Sequence, residues 1–183
     1  MTKNSHPLKK VFFDFENDEW HGHASESLWA EHIHGNKFKI RNSPFFVKGV
    51  SFEDIVAAKE VDAKLIFERV LISAGNSTYR LLVKTENIPN PFLEHWKHLE
   101  KLGCSYEEND EMTMRMFAVD VPSASDIYAV YELLEEGKRA AVWDFEEGHC
   151  GHVLNGKGSE SLFSRSNRGF SRTLAPSFPN CGR

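Results

Sequence analysis

Cysteine is scarce in this 183-residue chain. Cys104, Cys150 and Cys181 are odd in number and show no CxxC spacing, which argues against a disulfide framework and against the common zinc and thiol-redox motifs. Long apolar runs are also lacking. Ala140-Ala141-Val142-Trp143 is among the longest and falls far short of the roughly 20 residues that cross a bilayer. Residues 1–7 have no apolar stretch of signal-peptide type. The expected setting is therefore the cytoplasm, with reduced thiols and no membrane contact. Catalytic signatures are missing too. There is no Gly-x-Ser-x-Gly elbow, and the stretch Ser77-Thr78-Tyr79-Arg80 beside Gly75 lacks the Gly-Lys-Ser/Thr ending of a phosphate loop. No catalytic residue, metal or cofactor is assigned on this basis, and no enzymatic activity is expected.

Positive charge is sparse outside the C-terminus. The net charge is -5, but from His149 onward Lys157, Arg165, Arg168, Arg172 and Arg183 face Glu160 alone, a surplus of +4, so the preceding body stands at -9. Such a body does not suit the phosphate backbone, which is bound by lysine and arginine displacing counterions. It suits a basic protein partner. Nucleic acid is expected only as weak contacts through the tail.

What is present is clearest in residues 79–145, where the pattern reads strand, helix, strand, strand, helix, strand. That order is the ferredoxin-like, or split βαβ, unit. Its first helix, from Pro91 to Leu102, is punctuated by Asn90 as cap, Pro91 at the first turn and Gly103 beyond the end. Phe92, Trp96, Leu99 and Leu102 form its apolar stripe. Its second helix is predicted over 124–136, with Ser123 as cap and Gly137 as stop. A last strand follows over 140–145, turning Trp143 and Phe145 to the helices and Asp144 and Glu146 to solvent.

The first half reads as β-rich. Val11, Phe13 and Phe15 alternate with Phe12, Asp14 and Glu16, as in a half-buried strand. Gly35-Asn36 joins two further strands as a hairpin turn, and Leu65 to Ser73 is another strand. Ser51 followed by Glu53 and Asp54 predicts a short helix through Ala57 or Ala58. The expected architecture is α+β. A small antiparallel N-terminal half (1–78), curling into an SH3-like barrel, continues into a ferredoxin-like βαββαβ half (79–147). Residues 148–183, rich in Gly, Ser, Asn, Arg and Pro, read as a disordered basic tail.

Three groups of side chains are candidate sites. The strand-spaced pairs His21/His23 and His32/His34, with His149, Cys150 and His152, have metal-ligand chemistry but no recognised ligand spacing, and solvated histidines explain them. His95 and His98 sit one helical turn apart on a surface face. The carboxylates Asp14, Glu16, Asp144, Glu146 and Glu147 lie at strands and strand ends and form the expected acidic docking face.

A third group comes with a resemblance. Glu26-Ser27-Leu28-Trp29-Ala30, Asn42-Ser43-Pro44-Phe45-Phe46, Gly49-Val50-Ser51 with Asp54-Ile55-Val56, Gly75-Asn76-Ser77-Thr78-Tyr79-Arg80, Asp120-Val121-Pro122 and Trp143-Asp144-Phe145-Glu146-Glu147-Gly148 together resemble the uncharacterised, mostly bacterial family called domain of unknown function 4265. The resemblance runs from about Val11 to Gly148 and implies no reaction, substrate or cofactor. Its members Glu26, Trp29, Asn42, Asp54 and Arg80 are the candidate lining of a pocket, with Arg80 expected to pair with Asp54 or Glu26; a structural ion pair with turn-stabilising side chains is the reading favoured over a ligand pocket for the polar ones. The leading functional expectation is a protein-binding, inhibitory module of the immunity type that occludes a basic toxin domain. The alternative is a small-molecule sensor or enzyme using the Asp54/Arg80 pocket.

Overall fold

Five strands wrap the first core. They are β1 (Lys9–Asp14), β2 (Ser25–His34), β3 (Lys37–Ile40), β4 (Ile55–Val61) and β5 (Lys64–Ile72). The structure is a computed structural model and describes residues 7–15, 25–109 and 115–153. Alternation sends one side of each strand inward, so Val11, Phe13, Leu28, Ala30, Phe38, Ile40, Val56 and Ala58 share one core with Val47 and Val50. Phe13 stacks on Phe67 at 4.5 Å. Neighbouring strands pair antiparallel, and a short parallel pairing of β1 with β5, Val11 to Leu65 and Phe12 to Ile66, closes the barrel. Closure leaves no unpaired edge. The β2–β3 hairpin turns at Gly35, whose φ of +58° suits the primed turn read from the sequence.

Residues 51–58 correct the sequence reading. They form a turn and the start of β4, not a helix. Asp54 does receive the Ser51 amide (2.9 Å), as a capping pair would, but here the bond closes a turn. Val56 and Ala58 then alternate into the barrel core, and burial there outweighs the local helix signal.

The second sheet holds β6 (Ser77–Val83), β7 (Ser105–Asn109), β8 (Arg115–Val121) and β9 (Trp143–His149) in the order β7-β8-β6-β9, antiparallel throughout. The helices α1 (Phe92–Lys101) and α2 (Ile127–Arg139) cover one face. Phe92, Trp96 and Leu99 from α1 and Ile127, Val130 and Leu134 from α2 are buried. Phe92 stacks on Phe117 at 4.5 Å, and Trp96 meets Tyr106 edge-on at 4.6 Å. The fold is thus a β-rich α+β arrangement of nine strands and two helices among the described residues. Both sheets lie in one compact unit, Met1–Gly151; of the second unit, His152–Arg183, only residues 152 and 153 are described.

Several boundaries move. Pro91, not Asn90, is the N-cap residue of α1. The cap of α2 is Asp126, whose carboxylate receives the Tyr128 and Ala129 amides at 3.0 and 3.2 Å, and not Ser123. Gly137 lies inside α2 because Trp143 packs there: a Cβ on Gly137 would sit 2.2 Å from the indole ring. Trp143 Nε1 donates to Leu134 O at 3.0 Å. The last strand starts at Trp143 and runs to His149, so the expected start of the tail at 148 falls within β9. The Gly151 amide still donates to Ser77 Oγ (3.0 Å). The rest of the expected tail, residues 154–183, lies outside the described residues.

Candidate functional site

The segment 42–54, between β3 and β4, crosses from the barrel to the open face of the second sheet, and the polar members of the expected pocket converge on it. The Glu26 carboxylate receives three successive amides, Phe45 N at 2.7, Phe46 N at 2.9 and Val47 N at 2.7 Å. Arg80 reaches the same turn from β6, where even-numbered residues face away from the helices. Its Nη2 donates to Phe46 O (2.9 Å) and Val47 O (2.8 Å), and its Nη1 pairs with Glu146 at 2.8 Å. Amides on one carboxylate and carbonyls on one guanidinium fix the segment from both sides. Arg80 is only 1% exposed.

The other polar groups have equally local duties. Asp54 binds the amides of Ser51 (2.9 Å) and Ala74 (2.7 Å), and Ser51 Oγ meets Thr78 Oγ1 at 2.8 Å. Glu107, on β7, receives the Ser43 amide at 2.7 Å. Its carboxyl is pushed up, mainly by burial, with Glu26 adding to the shift. Asp120 accepts from Asn76 Nδ2 at 2.9 Å, while Asn76 Oδ1 receives the Ser123 amide at 3.0 Å. Burial raises Asp120 to about 6 against the pull of that hydrogen bond. His149 is lowered by burial, with the charge of Asp54 opposing. A polar seam therefore joins barrel to sheet.

Four of the five acids of the expected docking face fall among the described residues. Asp14 is exposed at the end of β1, and Glu16 lies outside the described residues. Asp144 pairs with Lys138 at 2.8 Å and Glu146 with Arg80. Glu146 turns toward the barrel-side segment, not to open solvent, because it lies opposite Arg80 in the β6–β9 register. Burial raises the Glu147 carboxyl. Asp144 and Glu146 are thus ion-paired within the fold, and all three acids of β9 remain partly exposed.

The histidines divide similarly. His21 and His23 fall outside the described residues. His32 Nε2 lies 2.9 Å from Gly35 O, and His95 Nδ1 lies 3.1 Å from Pro91 O. Among the described residues no group of three or more His, Cys, Asp or Glu is placed to hold a metal ion. A shallow groove of about 210 Å³ between α1 and α2 is lined by Glu94, His95, Lys97, His98, Leu133 and Glu136. No helix among the described residues is long and apolar enough to cross a membrane.

Trp29 alone of the five expected pocket residues turns outward. Its backbone is held on both sides, the amide by Asn42 Oδ1 (2.6 Å) and the carbonyl by the Arg41 amide (2.7 Å), yet the residue is 45% exposed. The family model described as Domain of unknown function (DUF4265) matches residues 26–145. The chain belongs to this family. The DUF4265 match covers the polar seam from Glu26 to Asp120 and ends at Phe145, just before Glu146. A hypothetical protein from Neisseria gonorrhoeae, known from a crystal structure described as novel, has a similar fold, with a TM-score of 0.68 at 21% identity, covering 81% of this chain and 99% of that one. No curated protein matches the chain. In this DUF4265 chain, the segments that carry the resemblance place Glu26, Asn42, Asp54 and Arg80 in structural hydrogen bonds and leave Trp29 on the surface. Strand alternation signals that Trp29 opposes Leu28 and Ala30. What sequence reasoning missed, the roles of Glu107, Glu146 and the Asn76–Asp120 pair, depends on strand pairing across long separations and has no local signature.

Proposed function

We propose that this protein acts by binding another protein, with the outer face of the barrel around Trp29 as the contact surface. The observation that supports this reading is the division just described: the polar groups of the Glu26–Arg80 cluster are turned inward onto backbone amides and carbonyls, while the largest aromatic of the same cluster is presented to solvent. At 45% exposure Trp29 forfeits close to half of the ~1.5–3 kcal/mol that full burial of a large apolar side chain gives, and tryptophan is among the residue types enriched where interfaces concentrate their affinity. The inhibitory, immunity-type action on a toxin domain is the specific form this proposal takes. The contact face moves from the strand acids to the barrel, because Asp144 and Glu146 are ion-paired within the fold and Glu147 is only partly exposed. With that move the partner's local chemistry is set by the barrel face, and the basic partner expected from net charge gives way to it.

The same reading takes the barrel as SH3-like and the second sheet as ferredoxin-like. Supporting this are the closure through β1 and β5 and the order β9-β6-β8-β7, which is fourth, first, third, second within a βαββαβ run. The cytoplasm is its proposed compartment, consistent with the buried thiol of Cys104, which burial pushes up to about 12. The test is co-expression of the tagged chain with its neighbouring gene products. Wild type retaining a stoichiometric protein that Trp29→Ala loses, at unchanged melting temperature, supports the proposal. Equal retention by Trp29→Ala refutes it.

A further inference from the structure

The outer face of the barrel carries more than one aromatic. Phe12 points outward from β1, since Val11 and Phe13 on either side enter the core. Lys10 lies opposite Trp29 in the β1–β2 register, and Phe12 opposite Ser27, so the two rings are diagonal neighbours on adjacent strands. Phe12 also faces Ile66 of β5. Each ring has a lysine over it: Lys10 Nζ is 5.1 Å from the Trp29 ring centre, and Lys64 Nζ is 5.3 Å from that of Phe12. Both lysines are exposed, and among the described residues neither has a carboxylate within ion-pair distance. Leu8, 48% exposed, precedes the same strand.

Two cations resting on ring faces, with no carboxylate partner among the described residues, make an incomplete site. A cation held by a ring at an exposed position gains about 0.5–1 kcal/mol, less than it gains from a carboxylate in a desolvated interface. An arriving carboxylate therefore draws the ammonium off the ring and uncovers an apolar face at the same time. We infer that this face docks a protein segment with an apolar or aromatic anchor flanked by carboxylates, the anchor seating on Trp29 and Phe12 and the carboxylates on Lys10 and Lys64. The inference rests on the barrel-face reading above and adds the chemistry of the partner. Single-stranded nucleic acid also combines planar groups with negative charge. A phosphate backbone needs a continuous basic track, and the exposed acids Asp14, Asp62 and Glu68, on β1, at the β4–β5 turn and on β5, interrupt one here; two separate lysines suit a segment with two spaced carboxylates.

The test is fluorescence anisotropy with the full chain and three labelled probes: a peptide with a central Leu-Phe pair between runs of glutamate, the same peptide with lysine for glutamate, and single-stranded oligo(dT). The first peptide is expected to bind at least tenfold more tightly than the other two. Lys10→Glu and Lys64→Glu should each weaken it about tenfold, Lys10→Gln less, and Trp29→Ala most, with melting temperatures unchanged. Tighter binding of the lysine peptide overturns the inference, as do preference for oligo(dT), failure of the glutamate peptide to bind, and charge reversals without effect. If a co-purified partner is lost by Trp29→Ala but held by both charge reversals, the barrel-face reading stands and the acidic partner falls.

Discussion

Replacing Arg80 by methionine removes the guanidinium and keeps most of the aliphatic stem. It leaves the Phe46 and Val47 carbonyls without the donors that met them at 2.9 and 2.8 Å, and it leaves Glu146 without its partner at 2.8 Å. Glu146 is 28% exposed and can rehydrate. The carbonyls lie in the buried stretch Phe46–Val47, where each unsatisfied group costs about 1–3 kcal/mol. With two carbonyls left without donors, the loss amounts to roughly 3–5 kcal/mol in all. Set against a typical total of about 5–15 kcal/mol, that is a large share. In urea unfolding, Arg80→Met should lose about 3–5 kcal/mol, and its melting temperature should fall by roughly 6–20 °C for a chain of this size. Glu146→Gln keeps an acceptor for Arg80 Nη1 but leaves the buried guanidinium without its countercharge, and should lose roughly 1–3 kcal/mol, less than Arg80→Met. If Arg80→Met stays within about 1 kcal/mol of wild type, the claim that Arg80 clamps the 45–47 turn is wrong.

Other perturbations have definite signs. Gly137→Ala in an ordinary helix interior would stabilise by about 1 kcal/mol; here the new Cβ meets the Trp143 ring at 2.2 Å, so the substitution should destabilise by about 1–3 kcal/mol, read by denaturant unfolding. Asp120 has a folded pKa of about 6 against an ordinary 3.8. The folded state therefore binds the extra proton, and stability falls as pH rises from about 4 through 6. Asp120→Asn should remove that fall, making the variant more stable relative to wild type by roughly 2 kcal/mol at pH 7 than at pH 4; a difference independent of pH contradicts it. Asp126→Ala should lose about 1 kcal/mol by removing the cap on the Tyr128 and Ala129 amides, seen as a lower urea midpoint.

The second half was legible in the sequence because its signals are local and agree. The stripe of Phe92, Trp96 and Leu99, the Pro91 entry and the alternation of residues 79–83 each point to one element in one place. The barrel was legible as strands but not through residues 51–58, where the Ser51–Asp54 bond mimics a helix start and closes a turn. Gly137 reads as a helix stop because the ring that requires it, Trp143, comes six residues later on the next strand. Of the candidate site, a turn-stabilising duty for Glu26, Asn42, Asp54 and Arg80 was legible, but the partner of Arg80 was not: it is Glu146 and not Asp54 or Glu26. Whether Glu26 faces a ligand or three backbone amides depends on where segment 42–54 crosses the sheet, and no local pattern encodes that. Trp29 was grouped with this cluster by proximity in the family-like segments, whereas the pleat of β2 places it on the opposite side from Leu28 and Ala30.

The central claim is that binding resides at Trp29 while its polar companions hold the fold together. It is tested most directly by measuring the co-purified partner's affinity for wild type and Trp29→Ala by calorimetry, with melting temperatures recorded alongside. The account predicts a loss of at least about 2 kcal/mol in binding, roughly thirtyfold, at an unchanged melting temperature. An affinity within twofold of wild type would contradict it.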